Sequence, residues 1–124
     1  MVPTVLLVDD QAAFREVARR LLESDGFLVI GEAADGHSAL QAAAELAPDV
    51  VLLDVRLPDR SGLDTARMIR NVDPPPVVVL TSTADYAHAV KGCGAQGFIP
   101  KAALSGARLR AAIATGPIVG SDVP

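Results

Sequence analysis

The sequence is poor in several residue types, and each shortage excludes a class of protein. Cys93 is the only cysteine, so the chain cannot form an internal disulfide, which suits a reducing cytoplasm. With no tryptophan, 3 phenylalanines and 1 tyrosine, the core must consist mainly of aliphatic side chains. No apolar stretch approaches the ~20 residues that span a membrane, and the N-terminus lacks the basic and apolar regions of a signal peptide. We therefore expect a cytoplasmic protein without a membrane segment.

Runs of basic residues are also missing. The formal net charge is -4, and lysine and arginine are not clustered. Because contacts to phosphate backbones need clustered positive charge, we expect no direct nucleic-acid binding by this chain. Its 124 residues, half of them hydrophobic, fit one domain with its own core. We assign that domain to residues 1–115 and a short tail to residues 116–124, since Gly116 and Pro117 stop the last predicted helix.

Apolar runs alternate with helical patterns along the chain. Four continuous runs predict β-strands buried on both faces, typical of a parallel sheet: Thr4 to Val8, Val50 to Leu53, Val77 to Leu80 and Gly97 to Pro100. Phe27 to Ala33 is predicted as a further strand, the second along the chain, so that five βα units result. The last strand is expected at an edge, where Pro100 is tolerated. A short fourth helix is predicted from Tyr86 to Lys91.

Helical spacing predicts which residues face the core. In the first helix we expect an inward face that includes Val17 and Leu21, with Arg15 and Arg19 outward. In the second helix the predicted inward residues are Leu40, Ala43, Ala44 and Ala47. Ser61 with Asp64 predicts a capping box for the third helix, and Ser105 is expected to cap the last one.

Functional side chains follow the strands directly: Asp9 and Asp10, Asp54, Thr81 and Lys101. In an open parallel sheet the ligand site lies beyond the carboxyl ends of the strands, so we expect these groups to share one crevice. Adjacent carboxylates repel, and Mg²⁺ relieves this while keeping waters and open positions. We predict that Asp10 and Asp54 bind Mg²⁺ directly and that Asp9 assists, for example through a water.

Asp54 is the candidate nucleophile, because it ends the strand expected at the centre of the sheet. Attack by a carboxylate on phosphorus gives an acyl phosphate. Phosphoryl transfer mainly requires positioning and neutralisation of charge, which Mg²⁺ and the flexible ammonium of Lys101 can supply.

These residues occur together with Leu57-Pro58, Gly62 and the segment Gly94 to Phe98, and in this order the chain resembles the receiver domain of bacterial response regulators. The resemblance covers Thr4 to Ile113. It implies a flavodoxin-like, doubly wound α/β fold with strand order 2-1-3-4-5. It also implies that Asp54 is the phosphoacceptor, Asp9 and Asp10 the metal acids, and Lys101 the partner of the phosphate.

The resemblance assigns roles to further residues. Thr81 would be the switch hydroxyl and Phe98 the switch aromatic, while the backbone carbonyl of Arg56 would complete the metal shell. The Arg56 and Thr83 side chains would flank the approach of water and tune the phosphoryl lifetime.

The expected phosphoryl donor is a sensor histidine kinase or phosphotransfer protein. Phosphorylation would change the face made by Tyr86 to Lys91, Phe98 and Ser105 to Thr115, which can then bind a partner or a second copy of the chain. The chain would act as no enzyme beyond its own phosphoryl uptake and loss.

Alternatives remain. The chain can be the receiver portion of a DNA-binding regulator whose output domain is absent here, or an interaction module that is never phosphorylated. A receiver-like module that is never phosphorylated usually lacks one of the metal acids, the phosphoacceptor or the lysine, whereas this chain has all of them. A hydrolase of the haloacid dehalogenase kind needs an acid at Arg56, and a flavodoxin needs a hydroxyl-rich loop where Asp9 and Asp10 stand. Departures from the receiver pattern are Leu57 in place of methionine, Pro100 before Lys101, and a shortened stretch between Thr81 and Lys101.

Overall fold

A single parallel sheet organises the protein in the computed structural model, which describes residues 2–114. The sheet has five strands in the order β2-β1-β3-β4-β5. The strands are β1 (Thr4–Val8), β2 (Leu28–Ala33), β3 (Val50–Asp54), β4 (Val77–Ser82) and β5 (Gly97–Pro100). All neighbouring strands are parallel. The flavodoxin-like fold class and the strand order are confirmed, and β5 lies at an edge as predicted.

Helices connect successive strands and cover both faces of the sheet. They are α1 (Ala12–Ser24), α2 (Gly36–Leu46), α3 (Gly62–Ile69), α4 (Val90–Cys93) and α5 (Gly106–Ala114), with 3₁₀ turns at Ala87–Ala89 and Lys101–Ala103. Among residues 2–114 no helix is long and apolar enough to cross a bilayer. The predicted tail, with Thr115 and the helix stop at Gly116-Pro117, lies outside the described residues.

Two apolar layers sandwich the sheet, because successive side chains of a strand point to opposite faces. On one face Leu6, Val51 and Leu53 pack with residues of α2, α3 and α4. On the other face Val5, Leu7 and Leu52 pack with Ala18 and Leu22 of α1 and Leu109 of α5. The continuous apolar runs of β1, β3 and β4 therefore reflect burial on both faces, as expected for a parallel sheet. For β5 this expectation was wrong, because an edge strand is only partly covered and Ile99 is its one buried residue.

Helix α1 is rotated relative to the prediction. Val17 and Leu21 are exposed, with 52% and 39% of their surface accessible, so their assignment to the inward face was wrong. The buried centre is Ala18 and Leu22, and Arg15 and Arg19 are half-buried rather than outward. The physical reason is that the two arginines turn toward Glu32 at the end of β2, with which both form ion pairs.

The predicted inward face of α2 was also partly wrong. Ala43 is buried and Leu40 half-buried, but Ala44 and Ala47 are exposed. The buried stripe instead runs through Gly36, Ala39 and Ala43. Ala47 lies after the helix in a left-handed conformation with φ of 46°, so the helical spacing no longer applies there.

Element boundaries differ in small ways that bear on the site. Asp54 is the last residue of β3, and Thr81 and Ser82 belong to β4 rather than following it. The fourth helix is short, as predicted, but begins later, with its α-helical turn at Val90–Cys93. Ser105 caps α5, since its Oγ accepts a hydrogen bond of 3.1 Å from the Arg108 N–H.

The capping box predicted for α3 is replaced by a simpler cap. The Ser61 Oγ accepts a hydrogen bond of 3.0 Å from the Leu63 N–H. Asp64, the expected second half of the box, instead forms an ion pair of 2.7 Å with Arg67.

Candidate functional site

The strand register brings the predicted residues to one edge of the sheet. Leu53 pairs with Val8 on one side and Leu80 on the other, and Asp54 stands opposite Thr81. Beyond these strand ends lies a cleft of about 280 Å³. Its lining consists of Asp10, Gln11, Asp54, Arg56, Leu57, Pro58, Ser82, Thr83 and Lys101.

Three carboxylates form the acidic part of the site. One oxygen from each of Asp9, Asp10 and Asp54 lies within 4.8 Å of the others. Asp9 and Asp54 are only 2% and 4% exposed, whereas Asp10 is open to solvent. The Asp9 Oδ1 accepts a hydrogen bond of 2.8 Å from the Gln11 N–H, so the turn after β1 holds this side chain in place.

Lys101 is the cation of the site. Its Nζ lies 2.7 Å from the Asp9 Oδ2 and 3.1 Å from the Asp54 Oδ2. The same atom stands 4.7 Å from the centre of the Phe14 ring, a cation–π contact from α1. The Asp9 Oδ2 is fully buried and its contact with the ammonium is ionic rather than a well-aligned hydrogen bond. Lys101 thus neutralises part of the acidic cluster.

Burial and charge shift the ionisation of both Asp54 and Lys101. Burial raises the pKa of Asp54; the Arg56 N–H and Lys101 oppose this, and Asp9 adds to it. For Lys101 burial lowers the pKa, but the bonds to Asp9 and Asp54 outweigh burial, so the pKa is raised overall. The site therefore favours the charged form of Lys101 and disfavours the ionised form of Asp54, and a further cation in the cleft would relieve the latter penalty.

The loop between β3 and α3 fixes the backbone around Asp54. The Asp54 Oδ1 accepts a hydrogen bond of 3.1 Å from the Arg56 N–H, and the Gly62 N–H donates to the Val55 carbonyl at 2.6 Å. A Cβ at Gly62 would stand 2.1 Å from the Asp54 carbonyl oxygen. This close approach explains why glycine ends the loop.

Asp59 anchors the same loop to α2. Its two carboxylate oxygens accept hydrogen bonds from the Gly36 N–H at 2.7 Å and the His37 N–H at 3.0 Å. The Gly36 N–H, helped by that of His37, holds the pKa of Asp59 below its ordinary value despite the opposing effect of burial. The sequence carried no signal for this contact, because an aspartate in a polar loop is normally solvated.

The structure brings most of the predicted site residues together. Asp10, Asp54, Arg56, Thr83 and Lys101 line the cleft, and Asp9 contacts Lys101 from below. Two predicted switch residues lie outside the lining. Thr81 is 1% exposed beneath the cleft, and Phe98 is half-buried beside a separate hollow toward α5.

Four lining residues were not predicted as part of the site: Gln11, Leu57, Pro58 and Ser82. Of these, Leu57 and Pro58 had entered only as part of the receiver-like motif. Ser82 continues β4 past Thr81, and its Oγ accepts a hydrogen bond of 3.1 Å from the Ala84 N–H. Its position directly after Thr81 was the available signal.

The donor atoms suit Mg²⁺. The cluster offers hard carboxylate oxygens, one of them on an exposed residue, which is the ligand type this ion prefers. A cleft of about 280 Å³ also leaves room for the several waters that Mg²⁺ keeps. Asp9, Asp10 and Asp54 are therefore the residues of this chain that would hold the ion.

Comparison with known proteins gives the same answer from a different direction. The family described as the response regulator receiver domain matches residues 5–114. The chain belongs to this family. Receiver domains are the phosphoacceptors of two-component signalling and bind Mg²⁺ at an acidic pocket, and this chain carries such a cluster of acids in Asp9, Asp10 and Asp54.

Individual relatives agree. The receiver domain is 36% identical over 100 residues to the transcriptional regulatory protein YdfI of Bacillus subtilis, covering 78% of this chain and 47% of that protein. A two-component response regulator of the LuxR family from Aurantimonas sp. SI85-9A1 superimposes with a TM-score of 0.80 at 31% identity, covering 92% of this chain and 84% of that one. The CheX–CheY–BeF3–Mg complex of Borrelia burgdorferi matches with a TM-score of 0.77 at 30% identity, covering 89% and 85%.

The curated relatives are longer. The receiver domain spans between 25% and 48% of the length of the first of them, which include protein-glutamate methylesterases and transcriptional regulators.

Proposed function

We propose that the chain is a phospho-accepting signalling switch that takes a phosphoryl group from a histidine kinase or phosphotransfer protein onto Asp54, in the cytoplasm. One observation carries the proposal. Asp54 ends the central strand inside a cleft where Asp10 provides an exposed carboxylate and Lys101 stands 3.1 Å from the Asp54 Oδ2. This arrangement supports the roles proposed for Asp54 as nucleophile, Asp10 as metal acid and Lys101 as the cation in phosphoryl transfer.

The reaction is a displacement at phosphorus. An Asp54 carboxylate oxygen forms the new P–O bond while the P–N bond of the donor phosphohistidine breaks, and its electron pair stays on the imidazole nitrogen. The product is an acyl phosphate. Mg²⁺ when bound offsets the negative charge of the phosphoryl oxygens. Lys101, which here contacts Asp54 and Asp9, supplies the second positive charge.

The metal ligands are proposed to be Asp10 and Asp54 directly, with Asp9 in support and the Arg56 carbonyl completing the shell. Asp10 is the exposed acid of the cleft, whereas Asp9 is buried against Lys101. This difference in surroundings supports the direct role of Asp10.

The output is proposed to be a change of the face formed by α4, β5 and α5. Thr81 would move toward the phosphoryl group and Phe98 would follow, shifting the population between two states of this face. Thr81 starts directly opposite Asp54 in the sheet, and Phe98 stands beside Leu80 on the next strand. A partner or a second copy of the chain would bind there. Arg56 and Thr83 line the cleft and would set how fast water reaches the phosphorus.

A second candidate is the receiver portion of a DNA-binding transcriptional regulator. It is favoured by the likeness to the transcriptional regulatory protein YdfI and to the LuxR-family response regulator. In that case the same face would control an output domain, and the chemistry at Asp54 would be unchanged. In both cases the receiver would catalyse only its own phosphoryl uptake and loss.

Intact-mass spectrometry after incubation with acetyl phosphate and Mg²⁺ tests the proposal. We expect the mass of one phosphoryl group to be added. EDTA and Asp54→Asn should each prevent the addition, whereas Asp64→Asn, which alters an exposed acid on α3, should not. A wild-type chain that binds Mg²⁺ and never gains this mass would rule the phosphoacceptor role out.

A further inference from the structure

The acid pair of the cleft is held from behind by an arginine of α1. The Arg15 Nη1 donates a hydrogen bond of 2.5 Å to the backbone carbonyl of Asp9. The side chain is only 18% exposed, and it does not belong to the lining of the cleft within residues 2–114. Arg15 therefore touches the backbone of an acidic site residue without being available to contact a ligand.

Glu32 fixes the position of this arginine. The Arg15 Nε donates to the Glu32 Oε1 at 2.7 Å, and Arg19 donates to the other oxygen of Glu32 at 2.7 Å. Arg19 is itself tied to the Val29 carbonyl at 3.2 Å. The bond from Arg19, followed by that from Arg15, lowers the pKa of Glu32 despite some burial. The Glu32 carboxylate near the end of β2 thus binds both arginines and orients them.

The contact acts on both metal acids because of where it falls. The Asp9 carbonyl belongs to the planar peptide that joins Asp9 to Asp10. On its other side, the Asp9 N–H donates to the Ala33 carbonyl at 3.0 Å. Fixing these two groups sets the direction in which the Asp9 and Asp10 side chains leave the backbone.

We propose that Arg15, oriented by Glu32, is a positioning residue for the Asp9–Asp10 pair and sets the Mg²⁺ affinity of the site. The inference rests on the proposed function, since it assigns a support to the same metal site. Groups that orient metal ligands from behind typically change affinity by about 10- to 100-fold when removed.

The same geometry separates positioning from simple charge. A guanidinium can donate from different nitrogens to Asp9 and Glu32 at once, in a fixed fork. A lysine at this place keeps the positive charge but has a single ammonium on a flexible stem, and it cannot reproduce the fork. If Arg15 acted only by its charge near the acids, Arg15→Lys would behave like the wild type.

Titration of the whole chain with MgCl₂, followed by NMR of the backbone amides of Asp10 and Gln11, tests the inference. We expect Arg15→Ala and Arg15→Lys each to weaken Mg²⁺ binding by about 10-fold. Glu32→Ala should weaken it less, and combining it with Arg15→Ala should add little, because both changes remove one connected unit. The matched control is Arg20→Ala on the same helix. Arg20 pairs with Glu16 rather than with an acid of the cleft, and the two side chains are 76% and 63% exposed. Arg20→Ala should leave the affinity unchanged.

The outcomes discriminate between explanations. A wild-type affinity in Arg15→Ala, or full rescue by Arg15→Lys, overturns the positioning role. If Arg15→Ala does not fold, Arg15→Lys and Glu32→Ala carry the same test. Failure of the wild type itself to bind Mg²⁺ would sink the proposed metal site along with this inference, and the wild-type titration alone reveals that case.

Discussion

Asp54 is a buried carboxylate in unfavourable surroundings. It is 4% exposed, lies near two other acids and is only partly compensated by Lys101 and the Arg56 N–H. Burial is the main reason why its pKa is raised. In the proposed role of Asp54 as phosphoacceptor, this loss of stability would accompany reactivity, because a carboxylate oxygen held in place can attack phosphorus.

We therefore expect Asp54→Asn to stabilise the Mg²⁺-free protein at neutral pH. A neutral amide removes a poorly compensated buried charge, and Lys101 keeps Asp9 as its partner. The free energy of unfolding should be higher in the variant, because the raised pKa of Asp54 means that the native state disfavours the ionised carboxylate. Thermal unfolding in EDTA at pH 7 measures the difference, and Glu45→Gln, at an exposed position on α2, is the control.

The sign of the pH dependence follows from the raised pKa. Because the folded state holds the Asp54 proton more tightly than the unfolded state, ionisation penalises the native protein above the folded pKa. The penalty disappears as the pH falls through the folded pKa toward the ordinary value of 3.8. The advantage of Asp54→Asn should accordingly shrink on acidification. A variant that melts below the wild type at pH 7 would contradict this account.

Among the elements, α4 has the weakest local construction. It has one α-helical turn after a 3₁₀ turn, and Cys93 is its buried residue. Gly92 lies in the turn with no atom near the position that a Cβ would occupy. Gly94 ends it with φ of 84°, and the Arg70 side chain fills the space beside it. The backbone conformation and the space around it thus require glycine at position 94 but not at position 92.

Alanine substitutions at the two positions should therefore change the free energy of unfolding in opposite directions. Gly92→Ala should raise the free energy of unfolding by about 0.5–1 kcal/mol, because a helical glycine loses more chain entropy on folding and the new methyl group meets nothing. Gly94→Ala should lower it by at least about 1 kcal/mol, since alanine disfavours positive φ and would collide with Arg70. Urea denaturation measures both. Hydrogen exchange should show increased protection of residues 87–93 in Gly92→Ala, and equal destabilisation by the two changes would refute the assignment.

For the whole molecule, binding of Mg²⁺ to the proposed site would make the stability of the fold depend on the metal concentration. A ligand that binds only the folded chain stabilises it by about 2.7 kcal/mol at a concentration 100 times its dissociation constant. We expect Mg²⁺ to raise the melting temperature accordingly. Asp10→Asn should reduce this increase more than Asp9→Asn, because Asp10 is the exposed acid while Asp9 is already engaged with Lys101.

Differential scanning calorimetry with and without MgCl₂ checks this expectation, and Asp64→Asn on α3 serves as the control for general loss of negative charge. If Asp9→Asn and Asp10→Asn reduce the Mg²⁺-induced increase in melting temperature equally, the assignment of a direct role to Asp10 and a supporting role to Asp9 is wrong. If neither variant reduces it, Mg²⁺ does not bind at these acids.

The sequence by itself determined the number, type and approximate limits of the strands and helices. Runs such as Val50 to Leu53 are apolar at every position, and such a segment is stable only where both faces of a sheet are covered. The sequence also predicted that Asp9, Asp54, Thr81 and Lys101 lie together, because they stand at strand ends and the carboxyl ends of parallel strands share one edge of the sheet. The strand order came from the resemblance to receiver domains, and the structure confirms it.

Only the tertiary structure decided how the elements face one another. The apolar spacing of α1 predicted a hydrophobic face that includes Val17 and Leu21, but both are exposed in the structure. The orientation of the helix instead lets Arg15 contact Glu32 and the Asp9 carbonyl. Asp59, in a loop distant in sequence, likewise accepts hydrogen bonds from the first two N–H groups of α2. Periodicity depends on the side chains of one segment, whereas these contacts depend on which polar partner a neighbouring segment presents once the core has packed.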